Sequence, residues 1–316
     1  MAERISKSFI RSRLKTRQLA LLVHLDDERC VVRAAEAVGM TQPAASKFLR
    51  DIEAALQVRL FERHARGVAP TWYGEILVRR ARLVLSEIGR AQDEIAALKA
   101  GLSGQAAVGA VLSPGTNLVP RAVARVKERY PSMLISLELD YSKPLVDKLL
   151  QGHFDMVIAR ITDSRGADEL NYEPLADEPH AVIAGVQHPL AGVPDLTLEK
   201  LCDQVWILPS PGSLLRDRLA ESFLRRGIAV PRNIVQTSSL AAIIPLLQTT
   251  NMVVPLPEEA VRPYVEAGLL TVLVKQLGVE IDAFGLITRR NHKLSPGAEV
   301  MIAALKEAAA EIYPAA

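Results

Sequence analysis

Between Leu14 and Leu60 apolar residues recur at helical spacing in three short bursts, interrupted at Asp26-Asp27-Glu28 and at Gly39-Met40-Thr41. So many bursts in so short a stretch predict a small helical domain. At the second break Gly39 suits a left-handed helix end, Thr41 suits a cap for the next helix, and Pro43 falls where a first turn accepts proline. That order predicts a helix-turn-helix. On the helix opening near Gln42, the residues Ala45, Leu49, Ile52 and Leu56 share one buried face with Phe48 beside them, leaving Pro43, Ser46, Lys47 and Arg50 on an exposed stripe. Hydroxyl, ammonium and guanidinium groups so placed suit phosphate oxygens and major-groove base edges, although an ordinary solvated helix face has a similar composition.

Val58 to Thr71 reads as extended and basic, with Arg59, Arg63, His64, Arg66 and Gly67, which suits either a wing beside a duplex backbone or a plain basic hairpin. From Trp72 the helical pattern runs unbroken to Leu98, where Leu77, Ala81, Val84, Ile88, Ala91, Ile95 and Leu98 form a heptad seam. A helix of roughly 40 Å cannot bury that seam on the small domain before it, so a second copy of the chain is the simplest partner. Packing within its own chain is the alternative. Gly101 to Gly104 then reads as a hinge.

Beyond Gln105 short apolar strands alternate with amphipathic helices. The expected strands are Ala107–Leu112, Leu134–Leu139, Met156–Ala159, Ala181–Gly185, Val205–Leu208, Ile234–Thr237, Met252–Pro255 and Ala283–Thr288. The expected helices include Asn117–Arg129, Ser142–Gln151, Leu214–Arg226, Leu240–Gln248 and Pro257–Ala267. This alternation predicts a mostly parallel α/β sheet.

Charge sharpens the division. Met1 to Gly104 holds 18 Lys and Arg against 12 Asp and Glu, a net +6, while the remainder is −4 within a chain of 316 residues. An anionic partner is therefore expected for the front segment alone. The basic N-terminus, with Arg4, Lys7, Arg11, Arg13 and Lys15, leads into no apolar run fit for a signal core or a span, so a soluble cytoplasmic protein without a membrane partner is expected. Cys30 and Cys202 lie far apart and neither opens a Cys-x-x-Cys pair, which points to free thiols rather than a disulfide framework or zinc ribbon. No Gly-x-Ser-x-Gly elbow, phosphate loop or Gly-x-Gly-x-x-Gly run appears, and the six histidines have no metal-ligand spacing. Neither an enzyme nor a cofactor or metal is expected.

Taken in order, Ala34-Ala35, Thr41-Gln42-Pro43-Ala44, Ser46, Leu49, Ile52-Glu53, Leu56 and Leu60-Phe61-Glu62-Arg63 resemble the LysR-type transcriptional regulators. Gly152 to Ile158 and His188-Pro189-Leu190-Ala191 are similar to looser landmarks of that family's effector domain. In two places the chain departs from the family pattern: Gln57 stands where glycine usually follows the recognition helix, and Ala45 replaces a large aliphatic.

The resemblance implies a multi-domain fold: an all-α winged helix-turn-helix at 14–71, a long dimerising linker helix at 72–101, and an α/β two-lobed domain of the type-2 periplasmic-binding-protein kind at 105–316. Crossovers are expected near Arg160–Arg165 and Gly268–Val272, giving lobe I as 105–159 with 271–316 and lobe II as 161–270. It further implies double-stranded promoter or operator DNA, self-association to dimers or tetramers, RNA polymerase as a partner, and a small effector between the lobes. Base or groove contacts are expected from Gln42, Pro43, Ser46 and Arg50, phosphate contacts from Arg33, Lys47, Arg63 and Arg66, and Thr41 is expected at the DNA-binding surface with them. Polar turns that open helices, carrying Ser113 and Thr116, Ser210 and Ser213, and Ser238, suit an organic carboxylate, with Arg160 and Thr162 opposite; plain helix capping would use the same residues. An assembly-only head on a binding protein or enzyme, and an architectural DNA binder without a ligand, are the competing readings. Salt-dependent DNA affinity and ligand-dependent melting would separate them.

Overall fold

A computed structural model describes residues 14–64, 67–99, 104–162, 166–275, 277–279 and 281–313, without the side chains of Glu94, Ala97 and Leu98. The chain divides into an N-terminal unit, with which Asp147–His153 groups, and a C-terminal unit.

In the N-terminal unit α1 (Thr16–Glu28) buries Leu21, Leu22 and Leu25, and α2 (Val31–Ala37) buries Ala34 and Ala35. The turn after α2 closes by two backbone bonds, Gly39 N–H to Glu36 O at 2.9 Å and Met40 N–H to Ala35 O at 2.8 Å, with Gly39 at φ +63°. This pairing satisfies the last carbonyls of α2 and needs a residue without Cβ strain at the left-handed position. Arg17 fastens the same turn through Nε to the Val38 carbonyl, 2.6 Å. The next helix, α3 (Gln42–Leu56), starts at Thr41, whose hydroxyl accepts from Ala44 N–H, and buries Ala45, Phe48, Leu49 and Ile52 as expected. It ends in a left-handed Gln57, φ 58° and ψ 28°, so the strain foreseen for a non-glycine there, about 1 kcal/mol, is carried by the native chain.

The hairpin of β1 (Phe61–His64) and β2 (Gly67–Pro70) pairs Phe61 with Pro70 and His64 with Gly67. The Glu53 carboxylate receives the N–H groups of Leu60 and Phe61 at 2.7 and 3.1 Å, tying this wing to α3. Thr71 bonds back to the Arg59 carbonyl at 2.7 Å and accepts from Gly74 N–H, opening α4 (Trp72–Lys99).

The heptad seam of α4 divides in two. Ala81 is buried and Leu77 packs with Val78 into the head core, whereas Val84, Ile88, Ala91 and Ile95 are exposed, and the Leu98 side chain lies outside the described residues. Leu77 and Ala81 are thus core residues of their own chain, a correction to the expected unbroken seam. Three short helices leave one side of their core open, and the first turns of α4 close it. Arg82, bonded to Asp26 at 3.0 Å and to Asp27, marks where that packing ends.

The C-terminal unit has two lobes. In lobe I, β3 (Gln105–Ala110) lies parallel to β4 (Leu134–Leu139) and β5 (Met156–Ala159), and β12 (Phe284–Arg289) runs antiparallel to β5 and to β6 (Leu170–Ala176). Helices α5 (Leu112–Thr116), α6 (Leu118–Arg129) and α7 (Ser142–Leu150) connect these strands, and α12 (Pro296–Ile312) packs on α6.

In lobe II, β7 (His180–Gly185) is the middle strand between β10 (Val254–Pro257) and β11 (Leu270–Val274), both antiparallel to it, while β8 (Trp206–Leu208) and β9 (Ile234–Gln236) are parallel. Helices α8 (Leu198–Leu201), α9 (Leu214–Arg225), α10 (Leu240–Thr249) and α11 (Glu258–Glu266) complete it. Val182 and Ala184 face a core with Trp206 and Phe223, and Ala181 and Ile183 face one with Ile243 and Leu256, so β7 is covered on both sides.

Two expectations are corrected. The sheets are mixed rather than mostly parallel, because β6, β10, β11 and β12 enter antiparallel. The crossovers lie between Ala176 and His180 and between Val274 and Phe284, not near Arg160–Arg165 and Gly268–Val272, since β6 still belongs to the lobe I sheet and β11 to that of lobe II. Among the described residues no helix is long and apolar enough to cross a membrane, and no group of three His, Cys, Asp or Glu could hold a metal ion.

Candidate nucleic-acid interface and interlobe site

At the head of α3, Thr41, Gln42, Pro43, Lys47 and Arg50 are exposed. Ser46, expected on the same stripe, is buried at 8% exposure and accepts from Gln42 Nε2 at 3.0 Å. Its position one residue round from Ala45 turns it toward the core, so its hydroxyl orients Gln42. Arg33 is exposed but held by Glu28, through the carbonyl at 2.7 Å and the carboxylate at 3.1 Å. Arg63 projects from β1 into solvent, and Arg66 lies outside the described residues. Glu53, whose carboxylate sets the angle between recognition helix and wing, had no role assigned from the sequence.

In the C-terminal unit, Arg160 follows β5 at 6% exposure. Its Nη2 meets Glu178 at 2.8 Å on one crossover, its Nε donates to the Asp282 carbonyl on the other, and its guanidinium lies 5.8 Å from the Phe284 ring centroid. One side chain therefore joins both connections between the lobes.

A second cluster surrounds Glu259 on α11. Ser113, fully buried on α5, donates to Glu259 at 2.6 Å, Asn117 Nδ2 donates at 2.5 Å, and the Tyr313 hydroxyl lies 2.8 and 2.9 Å from its two oxygens. Thr116 caps locally onto the Ser113 carbonyl. Ser213 caps α9 and is buried, Ser210 accepts from Gln236 at 3.3 Å, and Thr162 and Ser238 are exposed. These contacts join the Ser113 turn to Glu259, and tie Ser210 and Ser213 to their own lobe. Glu178, Glu259, Asn117 and Tyr313 come from four separated segments, and no spacing in a single sequence links them. Cys30 and Cys202 are free thiols in different units.

Burial pushes the Glu178 carboxyl up, with the negative charge of Glu259 adding to it and Arg160 opposing. Burial also pushes His180 down to about 4, although its Nδ1 lies 2.8 Å from the Glu178 carbonyl. The sign for His180 follows from its depressed value. Above its ordinary value near 6.5 both folded and unfolded chains keep it neutral; below that value the unfolded chain takes the proton first, so stability falls from about pH 6.5 toward pH 4. Glu178 acts oppositely, costing stability above the usual carboxylate range and relaxing in acid. A wild-type minus His180→Gln difference in melting temperature between pH 7 and pH 4.5 isolates the histidine and is expected to shrink on acidification. A constant difference would show that His180 is not the acid-sensitive group.

The chain matches two family models, the bacterial regulatory helix-turn-helix protein, lysR family, over residues 16–75 and the LysR substrate binding domain over residues 99–310. It is 34% identical over 302 residues to the HTH-type transcriptional regulator GbpR of Azospirillum brasilense, covering 95% of this chain and 88% of that one. It is 29% identical to the SDS degradation transcriptional activation protein of a Pseudomonas species, covering 95% and 98%. Among solved structures, a full-length OxyR variant from Pseudomonas aeruginosa superposes with TM-score 0.56 at 27% identity, covering 94% of this chain and 95% of that one. These relatives are regulators, not enzymes. With one model on the helical head and the other on the two-lobed remainder, the chain belongs to the LysR family of DNA-binding transcriptional regulators, with that family's effector-binding domain at its C-terminal end.

Proposed function

We propose that this regulator binds operator DNA in the cytoplasm as a homodimer, built on the distal half of α4, and that a small organic acid between the lobes alters the geometry of the paired heads. The observation that carries the DNA assignment is the exposed Gln42, Pro43, Lys47 and Arg50 face at the start of a helix whose entry is fastened by the Gly39 turn and the Thr41 cap. Preorganised side chains at a helix N-terminus reach base edges at little conformational cost. Gln42 and Arg50 are assigned to the groove, with Gln42 steadied by Ser46, and Lys47, Arg63 and Arg66 to phosphates. Arg33 joins them by exchanging Glu28 for a phosphate.

The effector assignment draws on Ser113, Thr116, Arg160, Thr162, Ser210, Ser213 and Ser238, and is supported by the polar interlobe residues already engaged with carboxylates, Ser113 with Glu259 and Arg160 with Glu178. For such a ligand to regulate, it must bind one arrangement of the lobes better than another.

Fluorescence anisotropy against the chain's own upstream intergenic DNA and against scrambled DNA tests the head. Arg50→Ala is expected to weaken specific binding by about tenfold or more while sparing the scrambled duplex. Lys47→Ala should weaken both and lower the salt slope by about 1. Equal losses on both duplexes for Arg50→Ala would remove it from base readout.

A further inference from the structure

The Ser113 turn was expected to meet an external carboxylate, and in this structure it holds one supplied by the chain itself. Ser113 and Asn117 of lobe I donate to opposite oxygens of Glu259, and the Tyr313 hydroxyl bridges both. The carboxylate belongs to α11 of lobe II. Each donor is fixed independently of it: Ser113 is wholly buried, Asn117 is bonded through Oδ1 by Arg121 at 3.0 Å, and the Tyr313 ring packs edge-on against Phe284 at 5.6 Å. Three preset side-chain donors around two oxygens are a recognition site for a carboxylate, because hydrogen bonds to the ionised form are stronger than those between neutral groups.

The neighbourhood makes this occupant displaceable. Glu178 is buried, its charge and that of Glu259 repel, and its Oε1 has no hydrogen-bond partner. The charge of Arg160 is shared with Glu178. Moving the half-buried Glu259 carboxylate out to water relieves the repulsion it exerts on the buried Glu178, while leaving the lobe I donors to be satisfied by something else.

Resting on the effector reading above, we propose that Glu259 is a resident ligand: a lobe II carboxylate occupying a small-carboxylate seat on lobe I made by Ser113, Asn117 and Tyr313, which an acid effector must displace, releasing one link between the lobes as it binds. Binding and lobe rearrangement are then one exchange of carboxylates at a common set of donors. The effector is accordingly an acid small enough to enter where a glutamate side chain sits, and its affinity is set against the intramolecular competitor.

The test is chemical rescue in the full-length protein. Glu259→Ala is expected to lower the melting temperature, and formate or acetate in the millimolar range to raise it again, while acetamide and matched chloride do not and wild type does not respond. Adding Ser113→Ala to Glu259→Ala should abolish the rescue. If Glu259→Ala does not fold, Glu259→Gln replaces it with a second readout: the concentration of any acid that shifts wild-type DNA binding should fall about tenfold, since the neutral amide competes less well. A folded Glu259→Ala protein that formate and acetate fail to stabilise overturns the seat. A rescued variant in a protein whose DNA binding no carboxylate alters would keep the seat and overturn its regulatory use. Regulation by an acid without rescue would instead keep the effector reading and move its site elsewhere.

Discussion

Replacing Arg160 by methionine is expected to destabilise the C-terminal unit by about 3–5 kcal/mol, the range for removing one partner of a buried ion pair. The guanidinium is 6% exposed and answers to three groups at once: the Glu178 carboxylate at 2.8 Å, the Asp282 carbonyl, and the face of Phe284. Methionine fills much of the same volume, so the loss is chiefly electrostatic: Glu178 is left buried without a counter-charge. Pairing the change with Glu178→Leu should recover most of the loss, because two apolar groups of similar size place no uncompensated charge in the interior. The measurement is denaturant unfolding followed by Trp206 fluorescence in a Trp72→Phe background. Trp206 is wholly buried in lobe II, whereas Trp72 lies 67% exposed on α4 and would add an unrelated signal. A loss below about 1 kcal/mol would place the pair among ordinary exposed salt bridges, and no joining of the crossovers could be ascribed to it.

Placing aspartate at both Ile88 and Ile95 should convert the protein to a monomer and weaken operator binding by at least 100-fold, the lower end of what linking two binding modules provides. Ile88 and Ile95 are 43% and 54% exposed on the single chain and contribute nothing to the head core, so charges there leave the head folded. In a paired helix the same charges would face one another across an apolar seam, which is unfavourable both by desolvation and by repulsion. Sedimentation velocity gives the mass and anisotropy gives the affinity. A doubly substituted protein that remains dimeric would move the self-association surface away from α4. Intact affinity in a proven monomer would instead remove the need for paired heads.

The head was largely legible in the sequence because its elements are local. Gly39, Thr41 and Pro43 announce the turn, and Ala45, Leu49 and Ile52 announce the buried face, all within one stretch of chain. Ser46 misled because one helical position, 100° of rotation, separates an exposed from a buried side chain at the edge of the apolar stripe. Eight strands of the C-terminal unit were visible as apolar runs. β6 was not, since Asn171, Glu173 and Pro174 interrupt its pattern at the edge of a sheet, where one face and one side meet solvent. β11 starts two residues after Gly268 and so resembled a connection. The interlobe contacts were hidden for a different reason. Ser113 and Glu259 are 146 residues apart, Arg160 and Glu178 are separated by the whole of β6, and only the folded topology makes each pair neighbours.

The division of α4 has a practical meaning for dissecting the molecule. Because Val78 belongs to the head core, Ala81 is buried and Arg82 is bonded to Asp26 and Asp27, a fragment cut at Thr71 would leave an apolar face bare and take the guanidinium of Arg82 from both carboxylates, leaving Asp26 only its pairing with Arg29. A fragment running through Arg82 but ending before Val84 retains every contact that closes the core and none of the exposed stripe. Such a piece should fold as a soluble single head, and each added turn beyond it should restore self-association by degrees, so that the smallest autonomous module and the oligomerisation device are read from successive stretches of one continuous helix.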